Sequence, residues 1–112
     1  MYTPGLDGLA SKSLLFERAY TSMSWCSPSR SSLLTGRRPD TTRVYDLVTY
    51  FRNTTNPDIK TIPQYFKDHG YRTVGMGKIF HPGPAASNYD DPPSWSEPYF
   101  QPRFTHHTKR SW

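Results

Sequence analysis

At 112 residues the chain has the length of one small domain, yet only 34% of it is hydrophobic and 11 residues are proline, a poor supply for an independent core. Its net charge of +5 comes without a nucleic-acid-binding motif, so the charge points to a sulfated or phosphorylated polyanion rather than to DNA or RNA. No apolar run exceeds three residues, which excludes a membrane-spanning helix, and the 15% aromatic share is unlike that of an ordinary disordered tail.

In chain order, Thr3-Pro4 reads as an N-cap followed by proline at the first helical position, and Leu6, Leu9 and Ala10 follow at helical spacing up to about residues 11–13. Residues 14–20 (Leu-Leu-Phe-Glu-Arg-Ala-Tyr) predict a short strand, and 22–25 a loop. A helix is expected from Pro28, carrying Leu33 and Leu34 and stopped by Gly36. Arg37 to Asp40 reads as a turn, and the aromatic stretch 45–51 has no period. Thr61 and Gln64 stand at capping-box spacing with Pro63 in the first turn. The helix they open should bury Tyr65 and Phe66 and end at Gly70. Residues 71–76 predict a strand, with 77–81 emerging from its C-terminal end. The Pro- and aromatic-rich stretch 81–112 reads as an irregular, packed region. Helix-then-strand units with an active loop at a strand end suggest an α/β sheet.

The chemistry centres on Cys26, the sole cysteine, in the run Cys26-Ser27-Pro28-Ser29-Arg30. It has no partner for a disulfide within these residues. A buried thiol, a reactive or modified thiol, or a bridge to another chain remain. Small polar neighbours, a helix start, and the cations Arg30 and Arg37 would stabilise a thiolate or a bound anion. A cysteine-phosphatase loop is disfavoured, because an arginine belongs six positions after the cysteine and Ser32 stands there. Other prominent residues have plainer readings. Asp90-Asp91 is tempting as a metal pair but reads as a solvated loop. His106-His107 reads as a solvated tail, and His69 favours a helix C-terminus. Arg37-Arg38 is either a substrate-facing patch or part of an ion pair. Trp25 is expected to pack. Asn53-Thr54-Thr55 fits a glycosylation sequon.

The Cys26–Arg30 run, followed by Leu34-Thr35-Gly36-Arg37, resembles the first signature of the type I sulfatases. Gly70-Tyr71-Arg72-Thr73-Val74-Gly75-Met76-Gly77-Lys78-Ile79-Phe80-His81 resembles their second. Two signatures in order at a suitable separation are far more specific than either alone. Residues 35–46, 61–67, 77–83, Asp90-Asp91 and 94–96 narrow the similarity to a branch acting on glycosaminoglycans.

The resemblance implies an α/β, alkaline-phosphatase-like fold, with residues 1–112 a partial N-terminal part of a catalytic domain built on a larger, mostly parallel sheet flanked by helices. It implies that a formylglycine-generating enzyme oxidises Cys26 to formylglycine, whose hydrate attacks sulfur. Arg30 then steadies the hydrate, and Lys78 and His81 face the sulfate. Calcium is the implied metal, touching residue 26 as formylglycine, with its other ligands outside the chain. The family's paired aspartates are expected before Thr3, and its later aspartate, histidine and lysine beyond Trp112. The implied substrate is 2-O-sulfated iduronate in heparan sulfate and dermatan sulfate, and the implied location the lysosome. No leader is recognisable in the first residues, so a signal for that route is expected upstream. Alone, these residues are expected to be inactive. Another sulfatase specificity, or a non-catalytic glycan-binding product, is the competing reading.

Overall fold

The computed structural model describes residues 1–54 and 57–101. The third sequon residue, Thr55, and the His106-His107 pair lie outside them, as does the end of the 81–112 region. Four helices occur among the described residues: α1 (Pro4–Ala10), α2 (Cys26–Thr35), α3 (Pro39–Thr42) and α4 (Ile62–Asp68). Two 3₁₀ turns, Phe51–Asn53 and Gly83–Ala86, and a left-handed turn over Ser87–Asp90 complete the regular structure.

Local signals placed the helices well. Thr3 precedes α1, with its hydroxyl donating to Asp7 Oδ1 at 3.1 Å. Gly36 closes α2 at φ 65°, its N–H bonded to the Ser32 carbonyl at 2.9 Å. A left-handed residue there turns the chain away from the helix axis, and glycine adopts it without a Cβ penalty. Thr61 Oγ1 caps α4 by accepting from Gln64 N at 3.2 Å. The Gln64 side chain leaves the box unreciprocated and accepts from Arg52 Nη2 instead, at 2.8 Å.

Several expectations need correction. The Pro28 helix starts two residues earlier, at Cys26, because Pro28 fits equally well inside the first turn, where no intrahelical N–H bond is needed. The turn at 37–40 continues into the one-turn helix α3, started by Pro39 and ended by Arg43 at φ 56°. Tyr65 and Phe66 are not the buried side of α4; they are 54% and 45% exposed, and α4 buries no residue. Trp25 is half exposed rather than packed.

The strands expected at 14–20 and 71–76 do not form. Among the described residues there is one isolated parallel bridge, Met76 to Phe100, and no sheet. A strand exists only by pairing with a neighbour. Residues 14–20 are all exposed, and 71–76 have only 96–100 beside them, through Ser96 N to Thr73 O and Phe100 N to Gly75 O, both 2.9 Å. The expected α/β sheet is therefore not carried by a ladder among the described residues.

The core is drawn from positions between Leu34 and Tyr99. Leu34, Val44, Phe51, Ile59, Phe80, Ala86, Trp95 and Tyr99 form one buried cluster, with Tyr50 and Tyr89 packed against it. Phe51 and Val44 are fully buried, worth about 1.5–3 kcal/mol each. The irregular region after His81 supplies Ala86, Trp95 and Tyr99 to this core, as its aromatic content suggested. No residue before Ser27 is buried.

Beneath the core runs a buried polar network. Asp90, at 0% exposure, accepts from Arg52 Nε at 2.6 Å, Arg52 Nη2 at 2.8 Å, Tyr50 Oη and Ser94 Oγ. Ser94 also bonds Thr61, and Arg52 Nη1 donates to the Ile59 carbonyl at 3.2 Å. Burial works to lower the Arg52 pKa, but the hydrogen bonds and charge of Asp90 raise it overall. Burial and then the Asp90 hydrogen bond push the Tyr50 hydroxyl upward. The expectation of a solvated Asp90-Asp91 loop is thus overturned: Asp90 is an internal ion-pair partner, and half-buried Asp91 accepts from Tyr99 N at 2.9 Å.

Candidate active site

Helix α2 places Cys26 at its first position. Trp25, before it, has extended backbone and offers no side-chain cap. The N–H groups of Cys26 and Ser27 therefore have no intrahelical acceptor, and they carry the positive end of a ten-residue helix. Cys26 is a free, half-buried thiol.

Arg30 lies one turn further along α2, on the same face as Cys26. Its Nη1 donates to the carbonyls of Lys78 and Ile79, the latter at 3.0 Å. The two sequence signatures are thereby joined through one guanidinium, by a contact between residues 48 positions apart. Both bonds come from one nitrogen fixed in the guanidinium plane, whereas a lysine ammonium on a flexible stem would not hold two adjacent carbonyls in one geometry. The Arg30 Nε and the hydroxyls of Ser27 and Ser32 are buried on α2 without a hydrogen-bond partner among the described residues. Unpaired buried polar atoms cost about 1–3 kcal/mol each.

Lys78 is exposed, and His81 is half-buried three residues on. His81 Nδ1 lies 2.8 Å from the Pro82 carbonyl. A carbonyl only accepts, so Nδ1 carries the proton. The neutral ring then presents Nε2 as an acceptor, and the imidazolium presents it as a donor. Phe80, between these two residues, is buried edge-on against Trp95 at 6.1 Å. That anchor sets one end of the loop into the core and leaves Lys78 outside it.

Arg37 and Arg38 do not belong to this cluster. Both are exposed and make no ion pair among the described residues. Arg37 lines a cleft of about 510 Å³ with Leu34, Ile59, Lys60 and Tyr65. Arg38 lines another of about 480 Å³ with Tyr20 and Tyr45.

The described residues contain no group of three or more His, Cys, Asp or Glu side chains able to hold a metal ion. Asp90, the tempting metal candidate, is engaged by Arg52 instead. The Arg52–Asp90 pair escaped sequence reading because no local spacing links positions 38 residues apart.

The sulfatase family model matches residues 1–101. Iduronate 2-sulfatase from human is 52% identical over 101 residues, covering 89% of this chain and 18% of that protein; the mouse enzyme matches to the same extent. Human N-sulphoglucosamine sulphohydrolase is 43% identical over 83 residues, covering 73% of this chain and 16% of that protein. A sulfatase of Formosa agariphila is 39% identical over 84 residues, covering 70% and 17%. The chain thus spans less than a fifth of the length of each of these relatives.

Proposed function

The chain belongs to the sulfatase family, and on that premise we propose that it carries the nucleophile end of an iduronate-2-sulfatase active site, as the N-terminal part of a larger catalytic domain. The substrate is 2-O-sulfated iduronate in heparan sulfate and dermatan sulfate, and the intact enzyme works in the lysosome after passage through the secretory route. The observation that supports this most is the Arg30 bridge, which ties the Cys26 helix to the backbone of the Lys78–His81 loop.

In this reading Cys26 is a precursor, oxidised by a formylglycine-generating enzyme. Formylglycine supplies a hydrated aldehyde, a nucleophile that can later release sulfate by reforming its carbonyl. The chain's own residues do the rest. The open N–H groups of α2 and the Arg30 cation favour negative charge beside position 26. Lys78 neutralises sulfate oxygens, and His81, oriented by Pro82, donates Nε2–H from its imidazolium form to the leaving ester oxygen. Calcium belongs to the same proposal, with ligands from outside these residues, and no step here runs through it.

Mass spectrometry of the full-length protein made in secretory cells provides the test. The expected result is an aldehyde in place of the Cys26 thiol, together with desulfation of a 2-O-sulfated iduronate disaccharide in preference to N-sulfated glucosamine. An active enzyme with an unmodified Cys26 would sink the mechanism. Preference for N-sulfated glucosamine would move the chain to the other relatives' specificity.

A further inference from the structure

We propose that Tyr99 is a positioning residue for the active-site loop, holding the backbone on both sides of Lys78. This inference rests on the sulfatase reading for its effect on rate, though not for its geometry. The Tyr99 hydroxyl donates to the Gly77 carbonyl at 2.6 Å and lies 3.5 Å from the Ile79 N–H. Arg30 grips the next two carbonyls, those of Lys78 and Ile79, from the α2 side. Residues 77–79 are thus clamped between a phenol and a guanidinium, while the Lys78 side chain stays exposed.

The phenol is itself held firmly. Tyr99 is 7% exposed, stacks parallel on Tyr89 at 4.4 Å, and leans on Trp95 at 5.5 Å. Its ring fills the space over Gly75, where an added Cβ would fall 2.5 Å from it. Its own N–H is bonded by Asp91 at 2.9 Å. Burial is the main cause pushing the phenol pKa upward, so the hydroxyl keeps its proton and remains a donor. A loop that must hold an ammonium against a sulfate gains from such a rigid support, because small displacements of a catalytic group cost rate steeply.

The test uses the full-length enzyme carrying Tyr99→Phe, which keeps the ring and removes only the hydroxyl, with Tyr89→Phe as the control. Two measurements are made: steady-state kinetics on a sulfate ester, and hydrogen exchange of the peptide spanning residues 76–81. The expected result for Y99F is a fall in kcat of about tenfold with KM within about twofold. Exchange at 76–81 becomes faster, and exchange in α2 does not change. If Y99F fails to fold, difluorotyrosine at position 99 keeps both shape and hydroxyl. Its more acidic phenol then imposes a loss of kcat as pH rises through its titration, absent from the parent enzyme.

Wild-type kcat in Y99F, or reduced kcat with unchanged exchange at 76–81, overturns the clamp, as does a difluorotyrosine enzyme with the parent's pH profile. A parent protein that cleaves no sulfate ester defeats the sulfatase reading instead, and the exchange experiment still decides on the clamp.

Discussion

Replacing Asp90 with Asn isolates the value of the buried network. The change keeps the side chain's shape and removes its charge, leaving the Arg52 guanidinium facing a neutral amide. The two Arg52 contacts, 2.6 and 2.8 Å, are charge-assisted, and the side chains are 12% and 0% exposed. Lys60 and Asp68 meet at the same 2.6 Å, but with side chains 55% and 37% exposed, so distance alone does not separate the two pairs. Burial does. An exposed pair is screened by water, whereas a buried pair that loses one member strands a charge in a low-dielectric interior. The expected loss for D90N is about 3–5 kcal/mol, a large part of a typical domain's stability. On the scale of a 150–250-residue domain this lowers Tm by roughly 6–20 °C. Differential scanning fluorimetry of the full-length protein reads the shift, and Lys60→Ala, as the comparison, leaves Tm unchanged. A D90N protein within about 1 °C of the parent, a surface-like effect, would refute the reasoning.

Two further predictions follow from local geometry. Gly75→Ala drives a methyl to within 2.5 Å of Tyr99 and 2.7 Å of Trp95, two rings fixed by packing, and should cost about 1–3 kcal/mol, measured as a lower Tm. The Asp46 carboxylate accepts from Thr49 N at 2.7 Å, Val48 N at 2.9 Å and Thr49 Oγ1 at 2.8 Å, which hold its pKa below the ordinary carboxylate value. Because the folded pKa is the lower one, the unfolded chain takes up this proton first as pH falls. The contribution is present above about pH 4 and lost as pH drops through the folded value. Asp46→Asn should therefore flatten part of the decline in Tm between pH 5 and 3, and an unaltered decline would contradict this assignment.

Helices α1, α2 and α4 were legible for local reasons. Thr3, Gly36 and Thr61 act on their own neighbours within one turn, and the two signatures are contiguous strings. Reading failed where an element depends on distant partners. Residues 14–20 and 71–76 have the β-branched and aromatic content of strands, but a strand is made by the chain beside it. Asp90 looked like a solvated loop residue because its polar neighbours in sequence gave no hint of Arg52. The apolar residues of α4 signalled a buried face that these residues do not cover.

What the sequence determined by itself is the chemistry: a single cysteine at a helix start, an arginine one turn later, and a Gly-Lys-x-x-His stretch downstream that reads Gly77-Lys78-Ile79-Phe80-His81. These are covalent facts of composition and order, fixed before the chain folds. Tertiary structure decided what holds that chemistry in place. Arg30 turns to the carbonyls of Lys78 and Ile79, Tyr99 closes on Gly77 from the other side, and Asp90 gives up its place as a metal candidate to neutralise Arg52. Each of these contacts joins residues more than 20 positions apart. No local pattern encodes them, because their partners are selected only when the core packs and buried polar groups must find one another.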